Sequence, residues 1–435
     1  MRTDILHIGA GELTYEIRNI VNVGTRLQDL GVRVNWENIG DPIAKGEEIP
    51  AWMKDIVAEA VRDSSTYGYS PTKGVLETRQ YIAEETNSMG GAQIDAEDII
   101  FFNGLGDAIS KVFGFLKRTA RVIVPTPSYT THSSAEAAHA GDQPVTYILD
   151  PNNLWYPDLE DIENHIKYNP AVAGILVINP DNPTGAVYPA EVIRAIVEIC
   201  EKNDLFIICD EVYQNITYNG TVAAPLCTVI GDRVPALCMR GTSKEMPWPG
   251  GRCGWIEVYN GHRDPMFETY VKSILNAKML EVCSTTLPQV VLPRIKQHPE
   301  YQHYLDERIR RYERYSNIAY DILKENKQLV VNRTNGAFYM SAAFLDGVLT
   351  HEQTLPIEND EVRKTVENLV SGPDVSLDKR FVYYLLASTG VCVVPLSSFA
   401  TELQGFRITL LERDEQEFIK IFTTISQAIN QYLDS

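Results

Sequence analysis

The sequence predicts an α/β protein built on a large, mostly parallel sheet of seven strands, with a smaller α+β domain beside it. Two observations predict the sheet. Short β-branched apolar runs alternate with helix-length segments from residue 99 to 280, the pattern of strands buried on both faces and joined by helical crossovers. No internal repeat and no low-complexity linker interrupts that alternation. A third observation predicts the smaller domain: after about residue 300 the pattern changes to one long charged helix followed by short strands and further helices. The expected organisation is an N-terminal segment, 1–55, packed with the small domain, a large domain over 56–300, and the small C-terminal domain over 301–435.

The strands expected in the large domain are Ile99–Phe102, Arg121–Val124, Val145–Leu149, Gly174–Ile178, Leu205–Cys209, Ala236–Met239 and Gly254–Val258. Between them, 3.6-residue periodicity marks helices near Asp107–Lys117, Tyr129–His139, Leu159–Ile166, Pro189–Lys202 and Met266–Leu280. The small domain is expected to hold a helix over Tyr301–Glu325, strands at Gln328–Asn332 and Ala337–Ala343, a helix near Asp378–Ala387, strands at Val391–Val394 and Phe406–Leu410, and a last helix over Asp414–Tyr432. At the other end, Tyr15–Leu30 reads as a helix, followed by an irregular stretch with Gly40, Pro42, Gly46 and Pro50.

Composition narrows the partners. The 435 residues carry 39 Lys+Arg against 58 Asp+Glu, a formal net charge of −19, and 44% are hydrophobic. Such a polyanion is repelled by nucleic acid and by anionic membranes, so neither is expected as a partner. The longest apolar run, Ala171–Ile178, is strand-sized and too short to span a bilayer. The seven cysteines form an odd set with no Cys-x-x-Cys pair, and no His-Glu-x-x-His motif occurs. Reduced core thiols, a cytoplasmic location and no metal site are the expectation.

In an open α/β sheet, ligands bind beyond the carboxyl ends of the strands, so the residues that follow each strand are the ones to read. After Phe102 comes Asn103-Gly104-Leu105-Gly106-Asp107, opening a helix whose first N–H groups suit a phosphate, though a plain glycine turn would read the same way. After Ile178 comes Asn179-Pro180-Asp181-Asn182-Pro183-Thr184-Gly185, a rigid turn that presents an Asn side chain. After Cys209, Asp210 and Tyr213 set a carboxylate and a phenol at the sheet's mouth, where the Asp could equally be a cap. After Met239 come Ser243 and Lys244, and eight residues beyond the lysine stands the glycine-flanked Arg252.

These parts suit one cofactor. A desolvated lysine can form a Schiff base, an arginine with helix-terminal N–H groups can hold a dianionic phosphate, and a carboxylate can keep a pyridine nitrogen protonated. Pyridoxal 5′-phosphate needs all three. From about Asn38 to Leu410, with these motifs in family order, the chain resembles the class I/II aminotransferases of fold type I, the aspartate aminotransferase superfamily. The resemblance implies that Lys244 carries the cofactor and shuttles the proton, that Asp210 partners the ring nitrogen, and that Asn182 and Tyr213 bond its phenolic oxygen. It implies that Tyr129 stacks on the ring, and that Arg252 with the Gly104-Leu105-Gly106 turn forms the phosphate cup. Tyr69 matches a tyrosine that reaches the phosphate of a neighbouring subunit, which implies a homodimer with shared active sites. Gly40 and Arg407 match the residues that hold the substrate carboxylate. The implied activity is transfer of an amino group from an L-amino acid to a 2-oxo acid.

The chain departs from the family pattern in three places. Gly241 stands where many members have a phosphate-binding serine, leaving Ser243 as a weak substitute; His132 stands where a second aromatic is common; Leu105 replaces a small residue in the cup. The rival activities are a C–S β-lyase or a decarboxylase on the same fold, since the cofactor residues serve all of them. The segment Asp4–Gly11 imitates a dinucleotide fingerprint but has Thr14 at the third glycine position. Tyr15 and Ile17 are candidates for side-chain selectivity. Arg308, Arg310, Arg311 and Arg314, mixed with Glu307 and Glu313, read as a solvated helix face.

Overall fold

The computed structural model describes residues 5–13, 16–373 and 375–435. Tyr15 and the side chain of Ile17 lie outside the described residues.

The large sheet follows from strands apolar on both sides. In Ile99–Phe102 the side chains of Ile100 and Phe102 enter one core and those of Ile99 and Phe101 the other, as the two-residue repeat of a strand requires. All seven expected strands form, in the spatial order 99–102, 254–259, 236–241, 206–210, 172–178, 121–126, 146–150, with Tyr156–Pro157 adding a short eighth strand at the edge. The five central strands from 236–241 to 146–150 run parallel; 254–259 is reversed against both its neighbours, and the eighth strand is antiparallel. Helices Leu105–Gly114 and Pro265–Met279 cover one face and Ala190–Lys202 the other.

The second unit is a four-stranded antiparallel sheet, 329–331, 339–344, 405–409 and 394–395 in that order, packed under helices Tyr301–Leu323, Leu377–Thr389 and Glu415–Leu433. The N-terminal helix Glu16–Asp29 sends Ile20 and Leu27 into the same core. Asn35–Trp36 then pairs in parallel with Val391–Cys392.

Several helices form where none was expected from the sequence. Leu76–Ser88 turns Thr78, Arg79 and Thr86 inward beside Ile82 and Ala83, where Thr86 bonds Glu257 and Arg79 bonds the Gly74 carbonyl, so polar residues interrupt its buried face. Thr286–Lys296 contains Pro288 and Pro293, which normally argue for a break. Ala51–Ala60 starts beside Pro50 at the end of the irregular stretch, and Asp360–Val370 is a short cap on the small unit. The cysteines are free and, apart from the half-buried Cys283, buried. Burial pushes Cys227 up to about 11 and Cys253 up to about 12.

Candidate active site

The strand register fixes one wall of the site. Ile178 pairs with Asp210 and Asp210 with Met239, so the turns after these three strands open at the same edge of the sheet. There they meet a cavity of about 380 Å³. Leu105, Gly106, Tyr129, Asn182, Asp210, Tyr213, Ser243, Lys244 and Arg252 line it from the large sheet, and Gly40 and Arg407 from the other side. Two of the expected residues are not on its wall. Gly104 sits behind it, and Tyr69 is 85% exposed on the surface.

Asp210 answers both readings of its position. Its Oδ1 accepts the Val212 N–H at 3.1 Å, a local cap, while Oδ2 lies 2.9 Å from Nε2 of the fully buried His132. His132 in turn meets Tyr129 and Phe113 edge-on. The departure from the family's aromatic is thus a polar partner for the carboxylate. No sequence signal marked it, because the pair is 78 residues apart.

Lys244 lies just past its strand and donates from Nζ to the Gly40 carbonyl at 2.8 Å, beneath the rings of Tyr213 and Phe338. Tyr213 donates to Tyr339 Oη at 3.1 Å. Burial, then the neighbouring Tyr339, pushes the Tyr213 phenol well above its ordinary value, so it stays a neutral donor. Arg407, 3% exposed, donates from Nη2 to the Asn38 carbonyl and from Nη1 to Asn182 Oδ1 at 3.4 Å, and its guanidinium lies 4.6 Å over the Tyr339 ring. Asn38, Ile39, Tyr339 and Val21 are wall residues that motif reading did not single out. Asn38 is 1% exposed and neither polar atom of its side chain has a partner among the described residues.

At the far end, Arg252 has a left-handed backbone, φ 48°, and its Nη2 donates to the Asn103 carbonyl at 3.3 Å. Gly104, φ 82°, has a backbone that favours glycine, and a Cβ there would stand 2.4 Å from that Nη2 and push the guanidinium aside. Leu105 accounts for one of the glycines opposite it. A Cβ on Gly254 would stand 2.9 Å from the Leu105 side chain and 3.0 Å from its backbone nitrogen, so the larger residue in the turn is matched by a missing side chain opposite, whereas a Cβ on Gly241 would press first on the Cys253 carbonyl at 3.1 Å. An arginine, two turn N–H groups and a seryl hydroxyl can together hold a dianion, while Asp210 and Tyr129 face the space beside it.

The expected solvated arginine face needs correction. Arg310 and Arg314 are exposed, but Arg308 is 2% exposed and ion-pairs with the buried Glu47 at 3.0 Å, and Arg311 joins it there. Buried acceptors at Glu47 and in the loop after Lys244 draw these two inward.

Residues 38–420 match the family model described as aminotransferase class I and II. An uncharacterised aminotransferase of Methanocaldococcus jannaschii is 58% identical over the full length of both chains. The glutamate-pyruvate aminotransferase of Escherichia coli is 28% identical over 75% of this chain and 79% of its own. Among solved structures, an alanine aminotransferase from Pyrococcus furiosus superposes with a TM-score of 0.82 at 26% identity, covering 98% of this chain and all of that one.

Proposed function

The chain belongs to the class I and II aminotransferases, and we propose that it uses pyridoxal 5′-phosphate, held at Lys244, to move the amino group of a small neutral L-amino acid to a 2-oxo acid. The observation that carries the reading is the meeting of Lys244, Asp210, Arg252 and Arg407 in one cavity. The chain's residues fit the cofactor: Gly104 leaves a cradle against Arg252 that a Cβ would fill, and Asp210 is a buried carboxylate on the cavity wall. When bound, the cofactor supplies an aldehyde that condenses with amines and a protonated pyridine ring that draws electrons from Cα.

The protein's share is binding, orientation and proton transfer. Arg252, Ser243 and the N–H groups of Leu105 and Gly106 would hold the phosphate, Tyr129 would pack against the ring, and Asn182 and the neutral Tyr213, its hydroxyl turned from Tyr339, would donate to the phenolic oxygen. Asp210, steadied by His132, keeps the ring nitrogen charged. Lys244 would take the proton from the substrate Cα and pass it to the cofactor's aldehyde carbon, and would run the same transfer backwards in the second half of the reaction. Arg407 grips the substrate carboxylate as a planar fork, with the Gly40 backbone opposite. Val21, Ile39 and Ile109 leave an apolar wall for a side chain, which supports a neutral substrate such as alanine, in keeping with the alanine and glutamate-pyruvate aminotransferases among its relatives. The exposed Tyr69 supports a homodimer in which that phenol completes the partner's site. The buried thiols suit a reducing cytoplasm. Among the described residues no helix is long and apolar enough to cross a membrane. The division at residues 55 and 300 stays part of this proposal.

Borohydride reduction of the purified holoprotein followed by peptide mass mapping tests the lysine, and alanine or glutamate with pyruvate or 2-oxoglutarate tests the substrates. An adduct on Lys244 and oxo-acid-dependent exchange are expected. Pyruvate released from cystathionine without an oxo acid would favour the lyase instead.

A further inference from the structure

Lys244 lies in a stretch, 242–248, that is neither helix nor strand, so no ladder fixes its backbone. The carbonyls of Lys244 and Glu245 nevertheless have donors, and both come from one side chain. Arg308, on the helix Tyr301–Leu323 of the small unit, donates from Nη1 to the Glu245 carbonyl and from Nη2 to the Lys244 carbonyl at 3.1 Å. Nη2 also reaches Tyr312 Oη at 3.1 Å. Burying a guanidinium is costly unless it is paired. Its counter-ion is Glu47, 6% exposed, whose Oε1 lies 3.0 Å from Arg308 Nε and whose Oε2 takes Arg311 and Arg413.

Glu47 closes a circuit. Its N–H donates to the Pro42 carbonyl at 2.9 Å, in the strap that begins with Gly40, and Gly40 is where the Lys244 ammonium lands. The lysine is therefore held at both ends of its residue: Nζ against the strap, and the main chain through Arg308 to Glu47 at the strap's far end. Two residues before the strap, the Asn38 carbonyl accepts from Arg407.

We infer that Arg308 is a positioning residue for Lys244, and that the Arg308–Glu47 pair sets the lysine's backbone in register with the strap that meets the substrate carboxylate. The inference rests on Lys244 as the reactive amine. A buried ion pair is weak evidence of stability gain, whereas an ångström of misplacement at a reacting group costs on the order of a hundredfold in rate. The geometry suits the second role, since both terminal nitrogens of the guanidinium donate to the carbonyls of Lys244 and Glu245 and to Tyr312, while Nε lies against Glu47 of the strap.

The test compares Arg308→Met, Arg308→Lys and wild type, as holoenzyme and as cofactor-free protein. With the holoenzyme, Arg308→Met should lower kcat by at least about tenfold with KM changed less than about threefold, and the α-deuterium isotope effect should rise as Cα proton transfer becomes limiting. Arg308→Lys should recover part of the loss, because one ammonium can serve one carbonyl and Glu47 but cannot span both carbonyls. With the cofactor-free protein, the rate at which acetic anhydride modifies Lys244, read by mass spectrometry against the exposed Lys420, should change by at least about threefold in Arg308→Met. If the melting temperature falls while the isotope effect and the labelling rate of Lys244 stay at wild-type values, Arg308 merely stabilises the fold and the inference is overturned. Should Arg308→Met not fold, Glu47→Gln is judged by the same two readings. Failure of wild-type borohydride trapping on Lys244 would instead sink the functional reading, independently of these outcomes.

Discussion

The two walls of the cavity are built by different means. The sheet wall is largely local: Asp210 ends its strand, Asn182 and Lys244 follow theirs by a few residues, and strand register brings the three strand ends together, with Arg308 holding the loop that carries Lys244. The opposite wall is assembled across the chain. Arg407 reaches Asn38 over 369 positions and Asn182 over 225, and Lys244 reaches Gly40 over 204. A wall set by register holds groups that act on bonds and protons, where a displaced atom stops the chemistry. The opposite wall is interlocked through side chains that grip distant carbonyls, and on the proposed function it holds the substrate carboxylate. Damage to the first should therefore abolish turnover, and damage to the second should change which molecules are turned over.

The sharpest way to break this contrast is Lys244→Ala. Activity should vanish together with the borohydride-trapped adduct, while the melting temperature stays within a few degrees of wild type because the side chain is only half-buried. A trapped adduct on another lysine would place the chemistry elsewhere. Asp210→Ala comes next: the phosphate end remains, so cofactor should stay bound, but proton removal should slow by about a thousandfold or more, since the uncharged ring is a poor sink. Near-normal turnover would reduce Asp210 to the cap that its bond to Val212 already describes.

How far the sequence anticipates the structure follows the same division. The strands and the residues at their carboxyl ends were readable, because apolar runs and turn chemistry are local signals. The motif order supplied Gly40 and Arg407 through resemblance, not through spacing. What stayed hidden depends on partners far away in the chain. His132 reads as a departure until Asp210 lies 2.9 Å from it, and Arg308 reads as surface until the loop carrying Lys244 turns its carbonyls inward. Leu76–Ser88 was hidden for a like reason, since its inner face mixes Ile82 and Ala83 with Thr78, Arg79 and Thr86, whose partners include Glu257, Glu97 and backbone carbonyls.

For the gripping wall, Arg407→Lys should separate recognition from chemistry. The variant should fold and bind cofactor normally, yet kcat/KM for amino acids should fall by about a hundredfold or more, the order expected when a buried, charged, bidentate contact is lost. Reaction with a simple amine lacking a carboxylate should be nearly unchanged. An equal loss on both substrates would assign Arg407 to the scaffold that Asn38 and Asn182 already share with it.

The smallest effect tests whether the two halves of the gripping wall are jammed together. A Cβ on Gly40 would fall 2.0 Å from Tyr339 Oη and 2.9 Å from Cζ, and Tyr339 cannot simply turn away, being 2% exposed, bonded by Tyr213 and covered by Arg407. Gly40→Ala should therefore displace Tyr339 or the strap and raise KM for amino acids by about tenfold, with a smaller change in kcat. Tyr339→Phe alone removes one neutral hydrogen bond from Tyr213, about 1 kcal/mol, and should cost only a few-fold in kcat/KM. Because the worst contact in Gly40→Ala is with the oxygen that Tyr339→Phe deletes, the double variant should lose less than the product of the two single losses. A double-mutant cycle on kcat/KM measures the coupling. Strict additivity would mean that the strap yields at Gly40 without pressing on Tyr339, and the contrast between a rigid sheet wall and an interlocked opposite wall would then have to be redrawn with the strap as a separate, mobile element.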